Sequence, residues 1–142
     1  MDIDAIHNTF SSLIPHFPAI ELGYLFGSVA TYSEGPLSDV DFGIYFDSSQ
    51  PLEGMGRLQL EILDFLIEQL GIDKIDITVM NYASVETNFE IIKCNHPLYV
   101  KDEEQRIEFE YRVHSMYLDR RYFNQIFDTY FLETLKHRGL TF

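Results

Sequence analysis

Two aspartates one residue apart, Asp39 and Asp41, stand at the head of an apolar run, and ten residues before them the pair Gly27-Ser28 closes another. This constellation constrains the fold more than any other feature of the chain. Glu21-Leu-Gly-Tyr-Leu-Phe-Gly27 is short and apolar, as a buried strand is, and Val40 to Phe46 reads as a second strand. Side chains alternate along a strand, so Asp39 and Asp41 leave the sheet on one face while Val40 turns to the other. Two parallel carboxylates repel each other unless a cation lies between them. Mg²⁺ suits that place, because it takes a few carboxylates and completes its shell with water and substrate phosphates. Two such ions about 3.5–4 Å apart stabilise both the attacking and the leaving oxygen of an in-line phosphoryl displacement. Gly27 lets phosphates approach the main chain, and Ser28, opening a helical turn to about Tyr32, offers an N–H and a hydroxyl to their oxygens.

Such chemistry calls for a third carboxylate to complete the metal site and accept a proton. Asp76 in Ile75-Asp-Ile-Thr-Val79 lies inside a third strand whose apolar residues point the other way, and it is the candidate. Asp73 follows Gly71 in a turn and reads as a solvated turn residue.

The rest of the chain supplies the frame. A first helix carries Leu13, Ile14 and Phe17 near its end and is stopped by Pro15 and Pro18. Ser48 to Gly56, with Pro51, Gly54 and Gly56, reads as a loop that could lie near the nucleotide. Leu58, Ile62, Leu66 and Leu70 then recur at helical spacing, and Gly71 ends that helix. A helix over Ser84 to Lys93, an edge strand over Pro97 to Val100 and one long helix over Glu103 to His137 follow. The expected architecture is α/β (α+β): a small mixed sheet with flanking helices and a long C-terminal helix. It would form a single domain over residues 1–142, with a core over about 20–100 and a helical segment over about 103–137. In that last helix Phe109, Val113, Met116, Phe123, Phe127 and Tyr130 form one stripe, with Tyr111, Leu118 and Tyr122 nearly opposite. One stripe is expected to cover the sheet and the other to meet a partner chain.

Charge narrows the partners. Ten Lys and Arg against 23 Asp and Glu give a formal net charge of -13, which repels long nucleic acids and leaves a small nucleotide carried in with divalent cations. The five histidines show no metal-ligand spacing, and Lys136-His137-Arg138 reads as cations at a helix C-terminus. No run reaches membrane-spanning length and no signal peptide is expected; with Cys94 the single cysteine, a cytoplasmic location is expected.

Gly27-Ser28, Asp39-Val40-Asp41 and Asp76, taken together, resemble the nucleotidyltransferase fold of DNA polymerase β and kanamycin nucleotidyltransferase. The small size is similar to that of the minimal nucleotidyltransferases (MNT proteins), and Arg106, Phe109-Glu110 and Tyr117-Leu118-Asp119 resemble their C-terminal helix. The resemblance runs from about Leu22 to Asp119. It implies a pairing with a HEPN-family toxin, contacted through the C-terminal helix, which the antitoxin silences by attaching AMP from ATP to a tyrosine. It also implies Asp39, Asp41 and Asp76 as catalytic and metal-holding residues, with two Mg²⁺ ions, and Gly27 and Ser28 as nucleotide-binding. Family members usually carry Arg-Gly a few residues after Gly-Ser, whereas this chain has Thr31-Tyr32, which leaves the triphosphate without that arginine. Two other readings stay open: modification of a small molecule of aminoglycoside type, and a non-catalytic antitoxin that blocks its partner by binding.

Overall fold

The computed structural model describes residues 2–30 and 39–139. Helix α1 (Ile3–Leu13) is capped by Asp2, whose carboxylate accepts from the Asp4 N–H, and it buries Ile6, Phe10 and Leu13 along one face. Pro15 allows a single 3₁₀ turn, Ile14–His16, before strand β1 (Ile20–Phe26). A short helical turn α2 (Gly27–Ala30) follows at once, so Gly27 belongs to the turn rather than the strand. Strand β2 is Val40–Phe46, as expected. Thr31-Tyr32, and the loop carrying Gly35 and Pro36, lie outside the described residues.

The expected loop over Ser48 to Gly56 is a helix for more than half its length. Helix α3 spans Leu52–Leu70, with Pro51 in extended conformation at its N-cap, so Gly54 and Gly56 sit inside the first two turns. Each glycine costs a helix about 1 kcal/mol. Met55 lies between them, only 3% exposed, and its burial holds the turn against the core. These turns follow the C-terminal end of β2, whereas Asp39 and Asp41 stand at its start. The glycines are therefore not beside the aspartates. At the other end Gly71 adopts the left-handed conformation at φ 68°, and its N–H closes the helix on the Ile67 carbonyl.

Strand β3 (Ile75–Val79), helix α4 (Val85–Lys93), strand β4 (Pro97–Val100) and helix α5 (Glu103–His137) complete the order. Ser84 caps α4 and Asp102 caps α5. The sheet order is β3-β2-β1-β4. Strand β1 runs antiparallel to β2 and β4, while β2 and β3 are parallel and joined by α3, making the sheet mixed. One face packs Val40, Phe42, Ile44 and Phe46 against α1 and α3. The other packs Leu22 and Tyr24 with Ile91 of α4 and with Phe109 and Val113 of α5. Both faces of β1 are covered, which is why it reads as an unbroken apolar run.

Helix α5 divides along its length, not around its circumference as the two opposed stripes suggested. Phe109 and Val113 are buried, Tyr117 stacks on Phe89 at 3.8 Å, and Arg120 meets Glu86 at 3.2 Å. From Leu118 to Glu133 every residue is exposed, including Phe123, Phe127 and Tyr130 of one stripe and Leu118 and Tyr122 of the other. Lys136 and His137 do lie in the last turn, with Arg138 at the C-cap.

Candidate active site

The pairing of β2 with β3 sets Asp41 beside Asp76, and the pairing of β1 with β2 sets Asp41 beside Phe26, the residue before Gly27. Asp39, immediately before β2, reaches the same end of the sheet. Sequence reasoning thus named five residues that the topology gathers at one place: Gly27, Ser28, Asp39, Asp41 and Asp76. Asp41 and Asp76 occupy equivalent positions on adjacent strands, so both project on the face that carries α4 and α5. Asp39 and Asp76 are exposed, and Asp41 is half-buried.

Asp41 is electrostatically the most loaded of the three. Burial, and then the neighbouring charges of Asp76 and Asp39, push its carboxyl up to about 6. Gly27, in the turn that follows the strand on its other side, presses against it. Gly27 has φ 78°, and a Cβ at that position would overlap Oδ2 of Asp41 and lie 3.2 Å from its Cγ. The backbone at Gly27 is therefore in direct contact with the central carboxylate of the site.

Among the described residues no three His, Cys, Asp or Glu side chains stand ready to hold an ion. The donor set nevertheless fits Mg²⁺. It is made of oxygens only, and burial together with the neighbouring charges raises the proton affinity of Asp41. A ready cage is not required, because Mg²⁺ keeps several waters and draws further oxygens from substrate phosphates.

Two polar contacts join residues that lie far apart along the sequence. His7 of α1 and His96, just before β4, face each other with Nε2 atoms 3.0 Å apart. The Tyr24 hydroxyl donates to Glu110 at 3.3 Å, and Arg106 donates to Glu110 and Glu103, pinning α5 to the sheet. Burial and the Glu110 charge push the Tyr24 hydroxyl far above its ordinary range, so it stays a donor.

An antiparallel and parallel mixed sheet with paired acidic strands and a Gly-Ser turn defines a nucleotidyltransferase fold. Residues 8–104, more than half the chain, match the family described as Polymerase beta, Nucleotidyltransferase, and the chain belongs to that family. No curated protein sequence matches it. Its structure is similar to a chain of a toxin–antitoxin complex crystallised with AMP-PNP, at 19% identity and TM-score 0.69, covering 89% of this chain and 98% of that one. It is also similar to a variant of the MntA–HpeT toxin–antitoxin complex with two Asp→Glu replacements, at 18% identity and TM-score 0.71, with the same coverage. A third likeness is to the tri-AMPylated Shewanella oneidensis HEPN toxin in complex with MNT antitoxin, at 18% identity and TM-score 0.63, covering 89% and 95% of the two chains. At these identities the likeness establishes the fold. Among the described residues no helix is long and apolar enough to cross a membrane.

Proposed function

We propose that this chain is an Mg²⁺-dependent protein adenylyltransferase, an antitoxin that transfers AMP from ATP to a tyrosine of a HEPN-family toxin. The observation that carries the reading is the register of Asp41 with Asp76, next to Asp39 and against the backbone of Gly27. The family supplies the reaction class, and the complexes with similar folds supply the acceptor.

Mg²⁺ held by Asp39, Asp41 and Asp76 would neutralise phosphate charge and stabilise the attacking and leaving oxygens. The chain's own residues do the positioning. Gly27 and Ser28 bind the β- and γ-phosphates through backbone N–H and hydroxyl. Asp76 orients the acceptor hydroxyl and takes its proton. The hydroxyl oxygen forms a bond to the α-phosphorus, the bond from that phosphorus to the β-phosphate's bridging oxygen breaks, and pyrophosphate leaves. Catalysis of this kind rests on alignment and preorganised charge. The exposed outer part of α5 is the surface offered to the toxin.

The test is incubation of the chain with ATP, Mg²⁺ and the HEPN toxin, followed by intact mass measurement of the toxin. AMP additions that require Asp39 and Asp41 support the reading. No addition, or equal addition by the Asp39→Asn/Asp41→Asn variant, overturns it.

A further inference from the structure

The fifteen residues from Gly27 to Asp41 contain no Lys or Arg, and they contain three acidic residues, Glu34, Asp39 and Asp41. Asp39, Asp41 and Asp76 put three negative charges at one end of the sheet. A nucleoside triphosphate brings further negative charge into that field, so a cation from another element has to meet it. The structure offers one in a fixed place. The Val40 N–H donates to the Lys74 carbonyl at 2.8 Å, and Val40 pairs with Ile75. One step back along both strands, Lys74 is the neighbour of Asp39 and stands two residues before Asp76. The parity of the strand carries its side chain toward the face of Asp41 and Asp76.

The other basic residues are committed elsewhere or lie on remote surfaces. Lys93 pairs with Glu90, Lys101 with Glu21, Arg106 with Glu103 and Glu110, and Arg120 with Glu86. The Arg112 guanidinium lies over the Phe109 ring. Lys74 is exposed and forms no ion pair among the described residues.

We infer that Lys74 is a nucleotide-binding residue whose ammonium contacts the α-phosphate, the phosphate that stays with the nucleoside. The assignment to that phosphate rests on the proposed function, in which Gly27 and Ser28 hold the β- and γ-phosphates. Gly27 follows β1 and Lys74 precedes β3, two strands away, which is about 10 Å at ordinary strand spacing. The lysine is thus on the opposite side of Asp41 from Gly27, where the α-phosphate and the acceptor meet.

The experiment is calorimetric titration of AMP and, separately, of ATP into the full chain with Mg²⁺. It compares the unmodified protein with Lys74→Ala, Lys74→Arg and, as a control for net charge, Lys136→Ala in the outer part of α5. Loss of one charge-assisted hydrogen bond predicts that Lys74→Ala weakens AMP and ATP by the same factor, about tenfold. Lys74→Arg is expected to recover most of the affinity, and Lys136→Ala to stay within twofold. Binding of both nucleotides by Lys74→Ala at unmodified strength would overturn the inference alone. So would weakening of ATP without AMP, because it would move the lysine to the outer phosphates. If the unmodified chain binds neither nucleotide, the inference and the proposed function fall together.

Discussion

Gly27 and Asp41 occupy complementary halves of one space: the backbone of Gly27, at φ 78°, passes where any side chain would strike the Asp41 carboxylate. Gly27→Ala therefore meets two costs. The left-handed conformation costs an alanine about 1 kcal/mol, and the overlap forces Asp41 to move. The expected outcome is a loss of about 1–2 kcal/mol in urea denaturation with a much larger loss of ATP affinity. An alanine variant that binds ATP as tightly as the unmodified chain would show that the contact has no role in the site.

Burial, and then the charges of Asp76 and Asp39, give Asp41 a pH signature. Its carboxyl is raised from the ordinary 3.8 to about 6, so the folded chain holds that proton more tightly than the unfolded one. Without metal, this group's penalty is fully present above pH 6 and disappears as pH falls toward 4. Asp41→Asn should stabilise the metal-free protein at pH 7.5 by about 1 kcal/mol, allowing for solvent screening of a half-exposed group, and should confer no advantage at pH 4. Mg²⁺ competes with the same proton. Thermal denaturation should show a Mg²⁺-dependent rise in Tm at pH 8 that is much smaller at pH 5, and an equal rise at both would contradict the coupling.

The histidine pair acts in the opposite direction. Burial and the neighbouring His7 hold His96 below its ordinary 6.5. A base with a depressed folded pKa contributes stability above its unfolded value, and that stability is lost as pH falls below 6.5. His7→Gln removes the ring that, after burial, holds His96 down. Its stability should fall less steeply than that of the unmodified chain between pH 7 and 5, measured by urea denaturation across that range. A slope unchanged by the substitution would show that His7 does not hold His96 down.

The strands and their acidic residues were legible in the sequence because period-two alternation and Gly-Ser to Asp-x-Asp spacing act locally. Val40–Phe46 and the edge strand Pro97–Val100 were read to the residue. The start of α3 was not. Pro51 and two glycines signal a loop by their local cost, and the gain that outweighs it, burial of Met55, comes from tertiary packing. The site divides in the same way. Asp39 and Asp41 share a strand face by parity alone, whereas the match of Asp41 to Asp76 is a register between strands separated by α3. The His7–His96 pair joins residues 89 positions apart, so no spacing motif could announce it. For α5, apolar residues on opposite sides suggested two covered faces, one on the sheet and one on a partner. Periodicity could not tell that the helix leaves the domain after Arg120.

That departure leaves the outer helix as a separable exposed surface. Phe123, Phe127 and Phe131 stack at centroid distances of 6.3 and 6.2 Å along one side of α5 while each is at least half exposed. The segment from Leu118 to His137 spans about 30 Å of helix at 1.5 Å per residue. Over residues 118–142 the charges of Arg120, Arg121, Lys136 and Arg138 against Asp119, Asp128 and Glu133 leave +1, whereas the rest of the chain carries -14, summing to the -13 of the whole. A nearly neutral aromatic rod held off an acidic body suits an apolar groove on a basic partner. It suits a second copy less well, because the bodies would repel. Replacing all three phenylalanines by serine removes no buried contact of the domain, so the urea midpoint should move little and ATP should bind unchanged. Binding to the proposed HEPN toxin, measured by calorimetry, should fall by at least a hundredfold, since aromatic anchors carry a disproportionate share of interface energy. Unchanged toxin binding by the triple variant would remove the outer helix from the interface and leave the adenylyl-transfer site to be judged by its own tests.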